Sequence, residues 1–238
     1  MIFVPLRVNL PARMTTHQVS TRRDDLAYIL PMGLFLVFVQ LGVWWPNLYP
    51  VFYITKTLLV AGLLIYFWKH FTQIHWTHLP LGFAVGVLGI VQWVGMEKLL
   101  LAHGPTWTHM SGEPLNPFEL VRNPALAWSF VLFRWAGAFL VVPVMEELFW
   151  RDYVWRTIAA PNDFKLAEVG EWDSRAFFIV PAVFAAVHIQ WLTAVVWALM
   201  IGILLVRTKS LGACIVAHAT TNLLLGAYVL YTHDWYFW

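Results

Sequence analysis

The chain has 238 residues, of which 60% are hydrophobic and only 12% are charged. A soluble domain usually carries about twice that share of charge, so the composition excludes an ordinary soluble enzyme and indicates a polytopic membrane protein. No basic stretch with interleaved aromatic residues is present, which argues against nucleic acid as a partner. The single cysteine, Cys214, excludes an internal disulfide, and its apolar neighbours predict a buried packing residue.

Seven apolar runs predict about seven membrane-spanning helices, because a helix needs about 20 apolar residues to cross the hydrocarbon. In chain order these runs are 26–45, 49–68, 79–101, 125–158, 176–189, 191–206 and 211–231. Pro143 predicts a kink in the fourth run, and Gly82, Gly86 and Gly89 predict that the third approaches a neighbour closely. We expect an all-α fold, a single membrane-embedded helix bundle over residues 26–238.

The distribution of cations predicts the orientation. With residues 1–25 as a cytoplasmic N-terminal segment and the first span as an uncleaved anchor, eleven cations lie on the inner side and two on the outer side, which satisfies the positive-inside rule. The inner cations are Arg7, Arg13, Arg22, Arg23, Lys69, Arg151, Arg156, Lys165, Arg175, Arg207 and Lys209. The outer cations are Lys98 and Arg122.

Adjacent glutamates near the end of the fourth span are the first candidates for chemistry, because ionisable groups at membrane depth are costly. Helical spacing stacks Glu147 on Arg151, four residues later, in the favourable orientation for an ion pair. Glu146 then points about 100° away and is left free, as a general base requires. The alternative is that both glutamates end an interfacial helix in water.

Histidines and an asparagine in the later spans complete the set. His188 follows Phe184 by one turn at the end of an apolar run, and a lone histidine there is commonly a packing residue. His218 and Asn222 share one face of the last span, so they need each other or a shared partner. They form either a helix–helix hydrogen bond or a pair of donors aimed at a developing oxyanion.

The motifs Glu-Glu-x-x-x-Arg, Phe-x-x-x-His and His-x-x-x-Asn, in this order and in this membrane setting, resemble the CAAX protease and bacteriocin-processing family of intramembrane proteases. The resemblance covers roughly residues 125–231, and members associated with exosortase-type protein sorting are similar in size. It implies glutamate-dependent hydrolysis of a peptide bond. Glu146 and His188 would hold and deprotonate the attacking water, and His218 and Asn222 would stabilise the oxyanion. Glu147 and Arg151 would support them.

The predicted topology raises a question of depth. Glu146 lies towards the inner end of the fourth span, whereas His188 lies about 13 residues into the fifth, which is about 20 Å of helical rise. We expect Glu146 to lie deep in a helix that continues to Ile158, with Arg151 and Arg156 reaching the inner interface by extending their side chains.

Two alternatives stay open at this stage. In the first, Glu146, His188 and His218 bind zinc, although the helical His-Glu-x-x-His pattern is absent and Asn222 is a poor ligand. In the second, the chain is a non-enzymatic membrane scaffold, chaperone or transporter, to which Lys56 and Arg134 within apolar runs lend support.

If the chain is a glutamate-dependent peptidase, we expect it to need no cofactor. The expected partners are the lipid bilayer and a protein or peptide substrate, either lipid-modified or sorted by an exosortase-type system. The expected location is the inner membrane of a bacterium, as a multi-pass protein.

Overall fold

The computed structural model describes residues 19–108 and 115–238, so the predicted segment 1–25 lies mostly outside the described residues. Within them the regular structure is entirely helical, which confirms the predicted all-α bundle. The α-helices in chain order are α1 (Arg22–Trp44), α2 (Tyr49–Tyr66), α3 (Leu79–His103), α4 (Pro117–Leu120), α5 (Pro124–Leu140), α6 (Val142–Glu147), α7 (Trp155–Ala159), α8 (Ser174–Ala185), α9 (Trp191–Thr208) and α10 (Leu211–Thr232).

In the part of the chain that the structure describes, six segments are long and apolar enough to cross a membrane, and they correspond to six of the seven predicted runs. The remaining run forms α8, which has only 12 residues. The predicted bounds differ from the observed ones by at most four residues, because hydropathy records where the chain enters and leaves the hydrocarbon. The chain is therefore an integral multi-pass membrane protein. Its orientation, with the N-terminus inside, stays a prediction.

The fourth span is not one continuous α-helix. α5 ends at Leu140 and α6 begins at Val142, with Pro143 in the first turn of α6, which is where the sequence predicts an interruption. Directly after α6 the chain forms a π-helical segment, Leu148–Val154, before α7 resumes the α-helical geometry. A π-helix is rare and often occurs at functional sites, and the sequence analysis did not predict it.

The glycines of α3 allow this helix to pack closely against α10, as predicted. A Cβ atom on Gly82 would lie 2.5 Å from the carbonyl oxygen of Ala213, and one on Gly86 would lie 2.5 Å from that of Ala217. No real side chain tolerates such distances, so only glycine fits at these positions. The contact fixes the depth and rotation of α10, which carries two of the candidate site residues.

One prediction about the inner end of the fourth span is wrong. Arg151 and Arg156 are both buried, instead of extending their side chains to the membrane interface. Nη1 of Arg156 forms an ion pair with Asp152 and also donates to the hydroxyl of Thr72, while Nε donates to the carbonyl of Ala167. Each arginine has a carboxylate four residues earlier on the same helix, and this internal partner holds it in the protein.

Candidate active site

A cavity of about 330 Å³ brings together the four residues that the sequence analysis proposed as catalytic. Glu146 reaches it from α6, His218 and Asn222 reach it from α10, and His188 reaches it from the connection between α8 and α9. The cavity is many times larger than one water molecule requires, so it can hold a segment of substrate beside a reacting water. The expected difference in depth between Glu146 and His188 does not separate them.

Glu146 is the free carboxylate of the site. It lies at the penultimate position of α6, is buried and lines the cavity. Within the described residues, no hydrogen bond or ion pair reaches its carboxylate, and Glu146 is the only acidic side chain among the residues that line the cavity. Glu146 is therefore available to a water molecule or a substrate.

Glu147 points away from the cavity into a buried network. Its side chain is 0% exposed, and its Oε2 lies 3.3 Å from Nε of Arg151, so the predicted ion pair is present. Its Oε1 lies 2.8 Å from Nδ1 of His218, a contact between residues 71 positions apart that the sequence analysis missed. Because a carboxylate only accepts, Nδ1 of His218 carries a proton and donates it to Glu147.

His188 is held by the end of α8. Its Nδ1 lies 2.8 Å from the backbone carbonyl oxygen of Phe184, and its ring stacks on the Phe184 ring with the centroids 4.4 Å apart. A carbonyl oxygen only accepts a hydrogen bond, so Nδ1 is the donor. In the neutral ring, Nε2 is then unprotonated and offers a lone pair. The Phe-x-x-x-His motif thus fixes both the orientation and the tautomer of His188.

The expectation that His218 and Asn222 need each other or a shared partner is wrong, whereas the expected hydrogen bonding between helices is present. Nδ2 of Asn222 donates a 2.8 Å hydrogen bond to the backbone carbonyl of Ala138 in α5, whereas His218 is bound to Glu147. Each residue finds its own partner on a different neighbouring helix, because α10 packs against both α5 and α6. Both side chains still line the cavity, and Asn222 retains one amide hydrogen for a further partner.

Trp197 of α9 is a site residue that the sequence analysis missed. Its ring stacks on Phe184 with the centroids 5.4 Å apart and meets the His218 ring edge-on at 4.7 Å. The guanidinium of Arg151 lies over Phe184 at 4.8 Å and over Trp197 at 5.5 Å. Phe184 and Trp197 therefore link His188 to His218 through ring contacts. A tryptophan in an apolar span has no feature in the sequence that predicts this role.

The arrangement of the described side chains does not support the zinc alternative, in which Glu146, His188 and His218 would bind the metal. Among residues 19–108 and 115–238, no three His, Cys, Asp or Glu side chains are placed to hold one metal ion. Glu147 and Phe184 already engage Nδ1 of His218 and of His188, respectively. The expectation that the reaction uses no cofactor stays a prediction, which metal analysis of the active protein tests.

Comparison with known proteins finds one family. Residues 127–224 match the family model described as type II CAAX prenyl endopeptidase Rce1-like. The match spans 98 of the 238 residues and contains all six residues that the sequence analysis singled out, which confirms the resemblance to the CAAX protease family. Neither the comparison with curated proteins nor that with solved structures finds a match.

Proposed function

Because residues 127–224 form an Rce1-like domain in a multi-pass membrane protein, we propose that the chain is a glutamate-dependent intramembrane endopeptidase. It hydrolyses a peptide bond of a membrane-associated protein or peptide. The observation that carries the proposal is the position of Glu146, a carboxylate without a partner that faces a cavity shared with two histidines and an asparagine.

Glu146 and His188 activate the water in this proposal. Nε2 of His188 accepts one hydrogen of the water and thereby orients it, while the Glu146 carboxylate removes the other proton as the oxygen attacks the carbonyl carbon. The hydrogen bond from His188 to the carbonyl of Phe184 supports this role, because it leaves Nε2 as the acceptor in the neutral ring. Glu146 later delivers the proton to the departing amine nitrogen, and the peptide bond breaks.

His218 and Asn222 stabilise the oxyanion that forms on the carbonyl oxygen. Asn222 contributes the amide hydrogen that Ala138 leaves unused. His218 donates from Nε2 when its ring carries both protons, and the Glu147 carboxylate stabilises that cation from the opposite side of the ring. Glu147 and Arg151 therefore act as positioning residues, since they reach the substrate only through His218.

The family match favours this function over a scaffold, chaperone or transporter, because it implies a hydrolase. Three finer statements stay predictions from the sequence resemblance: location in a bacterial inner membrane, lipid-modified substrates and substrates sorted by an exosortase-type system.

Replacement of Glu146 by Gln tests the proposal directly. The purified chain is reconstituted in lipid vesicles with a randomised library of apolar peptides, half of which carry a prenylated cysteine, and new peptide termini are identified by mass spectrometry. We expect cleavage by the native chain and a loss of at least about 1,000-fold in Glu146→Gln, because the base that activates the water is gone. Metal analysis of the same preparation addresses the zinc alternative.

The matched control is Glu168→Gln, which removes an exposed glutamate far from the cavity, and it should cleave like the native chain. Cleavage by Glu146→Gln at the native rate would refute the role of Glu146. A native chain that cleaves no member of the library would refute the proposed activity.

A further inference from the structure

Within the described residues, two buried basic side chains beside the cavity form no ion pair with a carboxylate. Arg134 of α5 is only 7% exposed and lines the cavity, and Lys56 of α2 is 6% exposed. Within the residues that the structure describes, neither side chain lies within ion-pair distance of a carboxylate, and Nη1 of Arg134 has no hydrogen-bond partner. The mechanism proposed above uses neither residue.

Aromatic rings account for only part of this arrangement. The guanidinium of Arg134 lies 4.9 Å from the ring of Trp238, 5.3 Å from that of Tyr49 and 5.6 Å from that of Tyr53. Nζ of Lys56 lies 4.1 Å from the Phe35 ring and 4.2 Å from the same Tyr53 ring. Cation–π contacts recover only a fraction of the solvation that a buried charge loses, and one ring shared by two cations recovers less for each. An arginine that is buried and lacks its anion suits a site that an anionic ligand completes.

Arg134 lies on the same wall of the cavity as Glu146, and this position indicates the kind of ligand that would reach it. Arg134, Ala138, Val142 and Glu146 follow one another at four-residue intervals, and all four line the cavity. A single wall of the cavity therefore runs from the guanidinium to the proposed general base. Twelve residues of continuous helix would rise roughly 18 Å, and the break between α5 and α6 makes this an upper bound. An extended peptide spans that distance with about five residues.

We propose that Arg134 binds a carboxylate of the peptide substrate and places the bond about five residues or fewer from that carboxylate beside Glu146. This assignment rests on the proposed function, because the wall that links Arg134 to Glu146 defines a peptide subsite only if Glu146 is where the peptide is cut. The carboxylate belongs either to the chain terminus of the substrate or to an acidic side chain close to the cut.

Binding to a chain that cannot turn over tests the assignment. The Glu146→Gln chain in neutral phosphatidylcholine nanodiscs is titrated with eight-residue peptides of randomised apolar sequence in three forms: a free terminal carboxylate, a terminal amide, and a terminal amide with one internal glutamate. We expect the Kd of at least one carboxylate form to be about tenfold or more below that of the plain amide, since a charge-assisted hydrogen bond is lost with the carboxylate. The form that binds more tightly identifies the source.

Substitutions of Arg134 complete the test. Arg134→Gln should bind all three forms equally, and Arg134→Lys should keep a reduced preference for the carboxylate, because the charge remains without the fork of donors. The matched control Arg122→Gln removes an exposed cation just before α5 and should leave the preference intact. Circular dichroism and the elution volume in size-exclusion chromatography check that each variant is folded. If Arg134→Gln does not fold, the reduced preference expected of Arg134→Lys tests the assignment instead.

Three results would each overturn the assignment. The Glu146→Gln chain with Arg134 intact could bind all three peptide forms equally or bind none of them, or the further substitution Arg134→Gln could leave the preference for the carboxylate unchanged. The outcome is separate from that of the proposed function, because binding is measured without hydrolysis. If the native chain never cleaves a peptide but the protein prefers the carboxylate forms, the proposed peptidase function is refuted and the anion-binding site at Arg134 is retained.

Discussion

Two buried acid–arginine pairs follow each other on the fourth span, and they differ in how completely their polar atoms are satisfied. Glu147 pairs with Arg151 and Asp152 pairs with Arg156, each across four residues and each out of contact with solvent. In the second pair, Tyr28 donates to Asp152, and Arg156 also donates to the hydroxyl of Thr72. That network has the completeness expected of a structural device.

The first pair is incomplete. Oε2 of Glu147 and both terminal nitrogens of Arg151 are buried without a hydrogen bond, and only the 3.3 Å contact of Nε with Oε2 joins the two side chains. What Glu147 does have is His218, which lines the cavity. The comparison teaches that identical spacing occurs in two settings: the satisfied pair is joined to α1 through Tyr28, and the under-satisfied pair contacts a histidine that lines the cavity.

The largest expected effect is the loss of stability in Asp152→Asn. The neutral amide leaves Arg156 buried without its anion, and breaking a buried pair in this way costs about 3–5 kcal/mol. We expect the free energy of unfolding in detergent micelles, followed by far-UV circular dichroism, to fall by that amount. Activity for each folded molecule should stay within about threefold of native, because this pair does not touch the cavity.

The control for this variant is Asp173→Asn. Asp173 also pairs with an arginine, Arg175, but the guanidinium is exposed and the aspartate caps the start of α8. Exposed pairs contribute about 1 kcal/mol or less, and Asn caps a helix about as well as Asp. Equal losses of stability in the two variants would show that the Asp152 network is not the fastening we describe.

The next effect is on catalysis, in Glu147→Gln. Glutamine keeps the shape but cannot stabilise a His218 that carries both protons, so the oxyanion loses one donor. We expect peptide cleavage for each folded molecule to fall about 100-fold, the usual cost of one such donor. Unfolding measurements on the same samples separate this loss from the instability that an unpaired Arg151 brings. A variant that cleaves like the native chain, or a similar catalytic loss in Asp152→Asn, would break the distinction between the two pairs.

Local features of the site were predictable from the sequence, because they depend on helical geometry alone. The ion pair of Glu147 with Arg151 and the separate direction of Glu146 follow from spacings of four residues and one residue on a helix. The bounds of the spans follow from hydropathy, and the close approach of α3 follows from its glycines. None of these features requires knowledge of how distant segments pack.

The features that sequence reasoning missed depend on packing between distant segments. His218 and Asn222 were expected to need each other or a shared partner, but the register of α10 against α5 and α6 gives each its own partner, Glu147 and Ala138. That register is set by contacts with α3, whose glycines predict a close approach but do not identify α10 as the partner. Arg156 was expected at the membrane interface, although its spacing of four residues from Asp152 permits an ion pair within the helix. Its distant partners Thr72 and Ala167 become visible only when the helices are assembled. The π-helical turn after Glu147 likewise has no local signature in these residues.

The smallest expected effect compares the two arginines by the same change, arginine to lysine, which keeps the charge and removes the planar set of donors. Arg156 uses two nitrogen atoms of that set for three hydrogen bonds, Nε to Ala167 and Nη1 to Asp152 and Thr72. Lysine cannot match this geometry, so Arg156→Lys should lower the free energy of unfolding by about 2 kcal/mol. Arg151 contacts Glu147 through Nε alone, and a lysine ammonium can replace one contact, so Arg151→Lys should cost less than about 1 kcal/mol. Parallel unfolding curves of the two variants measure the difference. If Arg151→Lys lowers the free energy of unfolding more than Arg156→Lys, the terminal nitrogens of Arg151 stabilise the fold through the rings of Phe184 and Trp197. The missing hydrogen bonds of Arg151 would then no longer distinguish a functional pair from a structural one.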